Sequence, residues 1–183
     1  MASFTRHVPF KCQLPPCSDQ DIRTLEVYYG AALPENYRNF LLQFNGALFD
    51  QRVVFPIMEP KNLGFAFGDI TVLWGLVDPL NEYDLRHWIY RDGRDFKDRV
   101  PDHIKMIGHG SVCGDLTISL GPDDFGSLYF WDPMMDWDDP STYRKDYDGL
   151  ELCARSFSAW WESLRYRPGP GFSYETGEYE AAE

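Results

Sequence analysis

The sequence predicts an α+β fold, a single domain in which an antiparallel sheet packs against helices from the N- and C-terminal parts of the chain. Three observations lead there. Apolar residues recur at helical spacing in two early segments (Ile22, Leu25, Tyr29; then Tyr37, Phe40, Leu41, Phe44) and again near the end (Phe157, Trp160, Trp161, Leu164). Between them the period falls to two, in runs rich in β-branched and aromatic residues. At 183 residues, with 44% hydrophobic content, the chain can build one ordinary core but not two full-sized domains.

Residues 1–17, carrying Pro9, Pro15 and Pro16, read as an extended lead-in to a domain spanning 18–167. Ser18 is a hydroxyl N-cap, Asp19 and Asp21 favour the positive end of the helix dipole, and Gly30 stops the first helix. In LPENYRNFLLQFNG, Pro34 suits a first helical turn and Asn45-Gly46 ends the run. RVVFPI from Arg52 and then DITVLWGL read as strands, punctuated by Pro56, Pro60, Gly64 and Gly68. DPLNEYDLRHWIYRDG puts Leu85, Trp88 and Ile89 on one helical face before Gly93, and IKMIGHG reads as a short strand.

A hairpin follows. Leu116, Ile118 and Leu120 face one way and Asp115, Thr117 and Ser119 the other, with Leu128 and Phe130 alternating against Tyr129 and Trp131 on the return. Gly-Pro-Asp-Asp-Phe-Gly joins the two strands. Ser156 caps the closing helix, and residues 168–183, rich in Pro, Gly and Glu, predict a disordered acidic tail.

A net charge of −12 and a pI near 4.7 argue against direct nucleic-acid binding, whose affinity comes from Lys and Arg on phosphates, and favour a basic protein partner. No apolar run approaches the roughly 20 residues of a bilayer-spanning helix, and MASFTRHVPFKCQLPP has no signal-peptide core, so a cytoplasmic protein with no membrane association is expected. Cys12, Cys17, Cys113 and Cys153 are scattered and predict free thiols. Cys12 and Cys17 form at most half a metal site, and no second Cys pair completes it.

Catalytic sets are weak. His109, Cys113 and Asp115 are close in sequence, but a nucleophile needs its base within hydrogen-bond reach and a third group to orient it, and Cys113 reads more simply as a small hydrophobe entering a strand. His103, His109 and Asp115 lack metal-ligand spacing, and His87 beside Trp88 reads as an exposed polar residue. No catalytic residue, metal ligand or cofactor is expected.

The acidic stretch is different. Between Lys105 and Arg144 there is no Lys or Arg, while Asp115, Asp123, Asp124, Asp132, Asp136, Asp138 and Asp139 all lie in that gap. Surfaces built for solubility intersperse both signs, whereas one-signed charge steers a partner. Phe125, Met134, Met135 and Trp137 lie among the aspartates, as interface anchors do. The expected partner-binding residues are therefore Asp123, Asp124, Phe125, Asp132, Asp136, Trp137, Asp138 and Asp139. The competing reading is structural: Asp123 and Asp124 serve the turn, Asp115 caps the turn after Gly114, and the apolar groups face the core.

Four signals together resemble the SMI1/KNR4 family, the SUKH superfamily, over about residues 18–165. They are Leu33-Pro34-Glu35-Asn36-Tyr37 with Phe40-Leu41 and Asn45-Gly46; Ile104 to Gly108 leading into Gly114-Asp115; Gly126 to Trp131, similar to a Gly-x-x-Tyr-x-Trp strand; and Phe157 with Trp160. Trp131-Asp132-Pro133 departs from relatives that carry His soon after the Trp, and residues 47–103 match poorly. The resemblance implies an α+β fold without known enzymatic activity, whose bacterial members are largely immunity proteins that neutralise polymorphic toxins, often nucleases, and whose fungal members are regulatory interaction proteins. The function expected from it is an immunity protein that binds a cognate toxin or other basic protein through its acidic surface. The alternatives are a regulatory scaffold unrelated to toxins and, more remotely, an enzyme or small-molecule binder using the aromatic middle segment.

Overall fold

Ser18 starts the first helix with a reciprocal pair of hydrogen bonds: its hydroxyl accepts the Asp21 N–H at 3.3 Å, and the Asp21 carboxylate accepts the Ser18 N–H at 2.8 Å. In the computed structural model this opens α1 (Asp19–Tyr29), and Gly30, at φ 68°, ends it in the left-handed conformation that glycine adopts without steric cost. The structure describes residues 4–12, 14–58, 60, 64–78, 81, 84–86, 100–110, 114–131, 147, 149–166 and 172–176.

The second helix, α2, runs Glu35–Phe44, so Pro34 sits at the cap position with extended backbone and not inside the first turn. Asn45 ends α2 at φ 49°, and its side chain does more than stop a helix. Its amide Nδ2 donates to the carbonyls of Pro15 (2.5 Å) and Leu76 (2.7 Å), while Oδ1 accepts the Leu76 N–H (2.7 Å). One buried side chain thus stitches the lead-in and the segment after the second strand to the end of α2. Gly46 must follow it, because a Cβ there would lie 2.8 Å from the Leu73 carbonyl oxygen.

The strands are β1 (Ala47–Pro56), β2 (Phe67–Leu73), β3 (Ile104–His109), β4 (Asp115–Ser119), β5 (Leu128–Trp131), β6 (Leu150–Ala154) and, after helix α3 (Phe157–Ser163), β7 (Arg165–Tyr166). They form one sheet in the order β6-β5-β4-β3-β2-β1-β7, antiparallel at every pairing. The sheet curls strongly. Just past the end of β1, the Met58 N–H donates to the Leu152 carbonyl of β6 at 2.7 Å, and the Phe55 ring lies 5.9 Å from that of Phe130. The predicted antiparallel sheet packed on N- and C-terminal helices is therefore the fold observed. β6 and β7 are additions to the predicted strands, and of the helix expected over 78–93 most lies outside the described residues, where Leu85 is the buried member that can be placed.

Aromatic side chains fill the space between sheet and helices. Phe40, Phe157 and Trp160 are fully buried, and Phe4 meets Phe40, Phe157 and Trp161 edge-on at 5.7 to 6.0 Å, the geometry ring quadrupoles favour. Phe4 belongs to the stretch read as an extended lead-in. Within that stretch Phe4, Val8 and Phe10 are buried, Lys11 exchanges backbone hydrogen bonds with Leu48 at 2.7 and 2.8 Å, and the Trp161 indole donates to the Thr5 carbonyl at 3.0 Å. The segment stays extended, but its apolar residues are needed to complete the core.

Part of the segment expected to be a disordered tail falls among the described residues. Residues 172–176 lie against β2: the Tyr174 carbonyl accepts the N–H groups of Ala66 (2.9 Å) and Phe67 (3.0 Å), the Phe172 ring stands edge-on to Phe67 at 5.6 Å, and the Tyr174 hydroxyl reaches Asp69 at 3.4 Å. Two aromatic rings in a Gly- and Glu-rich segment supply contacts that its average composition conceals. Positions 168–171 and 177–183 lie outside the described residues.

Candidate partner-binding site

The loop 121–126 is where the predicted acidic surface enters the described structure. It is held shut by backbone bonds, with the Ser119 N–H donating to the Ser127 carbonyl, the Gly126 N–H to Ser119 and the Ser127 N–H to Asp124, each at 2.9 Å. Gly126, at φ 86°, supplies the left-handed residue this turn requires. Beside it, Gly121 lets the chain pass His103, since a Cβ there would come within 2.5 Å of the imidazole.

Inside the loop the polar face of β4 and β5 converges on one carboxylate. Asp124 accepts the hydroxyls of Ser119 (2.5 Å), Tyr129 (2.7 Å) and Tyr147 (2.9 Å), and the Tyr147 oxygen also contacts His103 Nε2 at 2.7 Å. Burial pushes the Asp124 carboxyl up, but the three hydroxyl bonds outweigh it and hold the group below the usual carboxylate range. The same contacts act in reverse on the phenols. Burial first, then the bond to Asp124, raise Tyr129 well above its ordinary value and push Tyr147 up to about 12.

Asp123 and Phe125 flank this carboxylate and point outward. Asp123 is exposed, and Phe125 is 48% exposed, unusual for a large aromatic side chain. Phe125 and Gly126 form one wall of an open groove of about 420 Å³, whose other walls are Pro34, Glu35, Asn36 and Asn39 at the start of α2 and Arg155 and Ser156 at the start of α3. The remaining expected contact residues, Asp132, Asp136, Trp137, Asp138 and Asp139, lie outside the described residues, as do Met134 and Met135. Trp131 is buried in β5, and Tyr147 is bonded to Asp124 and lies edge-on to Tyr129 at 5.5 Å.

Of the catalytic set weighed in the sequence, the fold brings two members together. His109 and Asp115 face each other across β3 and β4, with Nδ1 and Oδ1 2.7 Å apart, while Cys113 and His87 lie outside the described residues. His103 belongs instead to the hydroxyl network. Cys12, Cys17 and Cys153 are free thiols; the Cys17 thiol donates to the Leu41 carbonyl at 3.0 Å, and burial, aided by Asp21, pushes it up to about 11, so it stays protonated at neutral pH. Among the described residues, no group of three His, Cys, Asp or Glu side chains is placed to hold a metal ion, and no helix is long and apolar enough to cross a membrane.

The network around Asp124 was not foreseen. Its only sequence signal is the polar half of the hairpin alternation, Thr117, Ser119 and Tyr129; His103 and Tyr147 are separated from it and from each other by long stretches of chain.

The model of the SMI1 / KNR4 family (SUKH-1) matches residues 16–163. No curated protein matches the chain. The motif residues that carried the resemblance have mostly structural work in the fold: Leu33, Tyr37, Phe40, Leu41, Phe157 and Trp160 are all buried, and Asn45 is the stitch described above.

Proposed function

From membership of the SMI1 / KNR4 family (SUKH-1), to which this chain belongs, we propose that it is an immunity protein that binds and neutralises a toxin domain without doing chemistry of its own. Family membership is the observation that carries the reading, because the family's bacterial members are largely such inhibitors. The chain's own residues supply the mode. A protein of net charge −12 with a cation-free stretch from 106 to 143 suits a basic partner, and a nuclease, whose substrate groove is basic, is the natural case. The proposed contacts are Asp123 and Phe125 on the hairpin loop and Asp132, Asp136, Trp137, Asp138 and Asp139 beyond it, the charges guiding encounter and the aromatics anchoring the complex.

The test is a pull-down of the tagged protein from its own lysate, followed by expression of the dominant partner with and without this chain. A partner that arrests growth alone and is silenced by co-expression supports the reading. A partner that is harmless alone overturns it in favour of a regulatory scaffold. For a confirmed pair, replacing Asp136, Asp138 and Asp139 together by Lys is expected to slow association, and the wild-type on-rate is expected to fall as salt is raised.

A further inference from the structure

We infer that Asp124 is a positioning residue for the proposed binding loop: its carboxylate, gripped by Ser119, Tyr129 and Tyr147, holds Asp123 and Phe125 outward and ties their loop to Tyr147, just before β6. What the loop then contacts rests on the functional reading above. The holding role does not.

A serine or tyrosine hydroxyl has one proton to donate, and an ionised carboxylate can only accept. Tyr129 and Tyr147 spend their single protons on Asp124, while Ser119, which also reaches the Tyr147 hydroxyl, shares its proton between the carboxylate and that oxygen; the Tyr147 oxygen is left as an acceptor. The neighbours comply. The Gly121 N–H donates to Ser119 Oγ at 3.1 Å, and His103 Nε2, 2.7 Å from the Tyr147 oxygen, must then be the donor. The network has one direction, from the Gly121 amide and the His103 imidazole through hydroxyls to Asp124, and it fixes His103 as the Nε2–H tautomer.

This order links the hairpin loop to the segments that lead into its two neighbouring strands. Asp124 sits in the β4–β5 loop, His103 just before β3, and Tyr147 just before β6. Pulling Tyr147 onto Asp124 ties the hairpin loop to the start of β6. A side chain engaged inward by three hydroxyls is poorly placed to serve as a contact charge, which separates the role of Asp124 from that of its neighbour Asp123.

The experiment uses the full-length protein, its Asp124→Asn and Asp123→Asn variants, and Tyr147→Phe as a milder version that removes a single donor. Nitrogen-15 NMR of His103, at a pH where the ring is neutral, is expected to show the Nε2–H tautomer in the wild type and in Asp123→Asn. In Asp124→Asn a mixture is expected, because the Tyr147 proton is then free to turn toward the ring. Amide exchange at Gly126 and Ser127 is expected to quicken about tenfold in Asp124→Asn and less in Tyr147→Phe, with Leu25 and Leu41 unchanged. An Nδ1–H tautomer in the wild type, or loop exchange indifferent to Asp124, overturns the inference. Oligolysine titrated at low salt then addresses the surface itself: Asp124→Asn is expected to weaken its binding at least as much as Asp123→Asn does. Failure of the wild type to bind oligolysine counts against the acidic-surface reading alone, whereas binding in which only Asp123 matters overturns the positioning role.

Discussion

The two faces of the β4–β5 hairpin are built from alternate residues of the same strands, yet they are held by different physics. On one face Leu116, Ile118, Leu128 and Phe130 are buried, with Phe130 against Phe55 and Phe55 in turn against Trp160. On the other, Ser119 and Tyr129 meet a single carboxylate at hydrogen-bond distance. Apolar burial is non-directional and tolerates modest repacking, so it supports the fold as a whole. Hydrogen bonds to an ion are directional and fix one arrangement, so they suit a loop whose shape has to be kept. The difference implies that stability and loop geometry can be damaged separately.

The sharpest way to break that division is to attack the apolar face. Replacing Phe157, which is fully buried among Phe4, Tyr37, Phe40 and Trp160, by Ala is expected to cost about 3–5 kcal/mol in denaturant unfolding. A loss below about 1 kcal/mol would mean that the aromatic layer does not carry the fold.

Next in size, Asp124→Ala leaves three hydroxyls without their acceptor and is expected to cost about 1–3 kcal/mol. This cost is expected to depend on pH, and the sign is fixed. Because the folded-state carboxyl lies below its unfolded value, its contribution is fully present above the ordinary carboxylate range and is lost as pH falls through the depressed folded value. The stability gap between wild type and Asp124→Ala is therefore expected to narrow on acidification, as measured by urea melts from neutral to strongly acidic pH. A gap that widened would place the protonated form in the native network.

Truncation before Phe172 tests a contact that belongs to neither face. It removes the acceptor for two backbone N–H groups and the ring packed on Phe67, and is expected to cost about 1–2 kcal/mol. A thermal melt identical to that of the full chain would return 172–176 to the status of an appendage. Smallest of all, Asp123→Ala is expected to change stability by less than about 0.5 kcal/mol, as at an exposed position outside any network.

What could be read from the sequence follows the range over which each cause acts. Ser18 with Asp21, and Gly30, are local signals, so α1 was legible at both ends. The hairpin was legible because its alternation is also local. β6 was not, because Leu150–Ala154 is buried at every position with Glu151 at its second place, and only pairing with β5 makes it a strand. The docked tail depends on Phe67 and Ala66, about a hundred residues upstream, and no composition rule reaches that far. For the candidate site, sequence located the acidic loop but gave Asp123 and Asp124 the same task. In the structure Asp124 turns inward onto Tyr147 while Asp123 stays exposed, and spacing cannot bring Tyr147 to the loop.

The curl of the sheet determines how other chains can approach it. An open sheet edge is a row of unused donors and acceptors, onto which a foreign strand can add or a second molecule can begin an aggregate. Here the Met58 N–H occupies the Leu152 carbonyl on the β6 side, while Lys11 covers β1 at Leu48 and β7 covers it at Val53 and Val54. The backbone at those positions is already in use. Strand addition there first requires an internal seam to open, so these positions favour recognition through side chains, and damage that loosens the Met58 seam is also damage that creates a sticky edge.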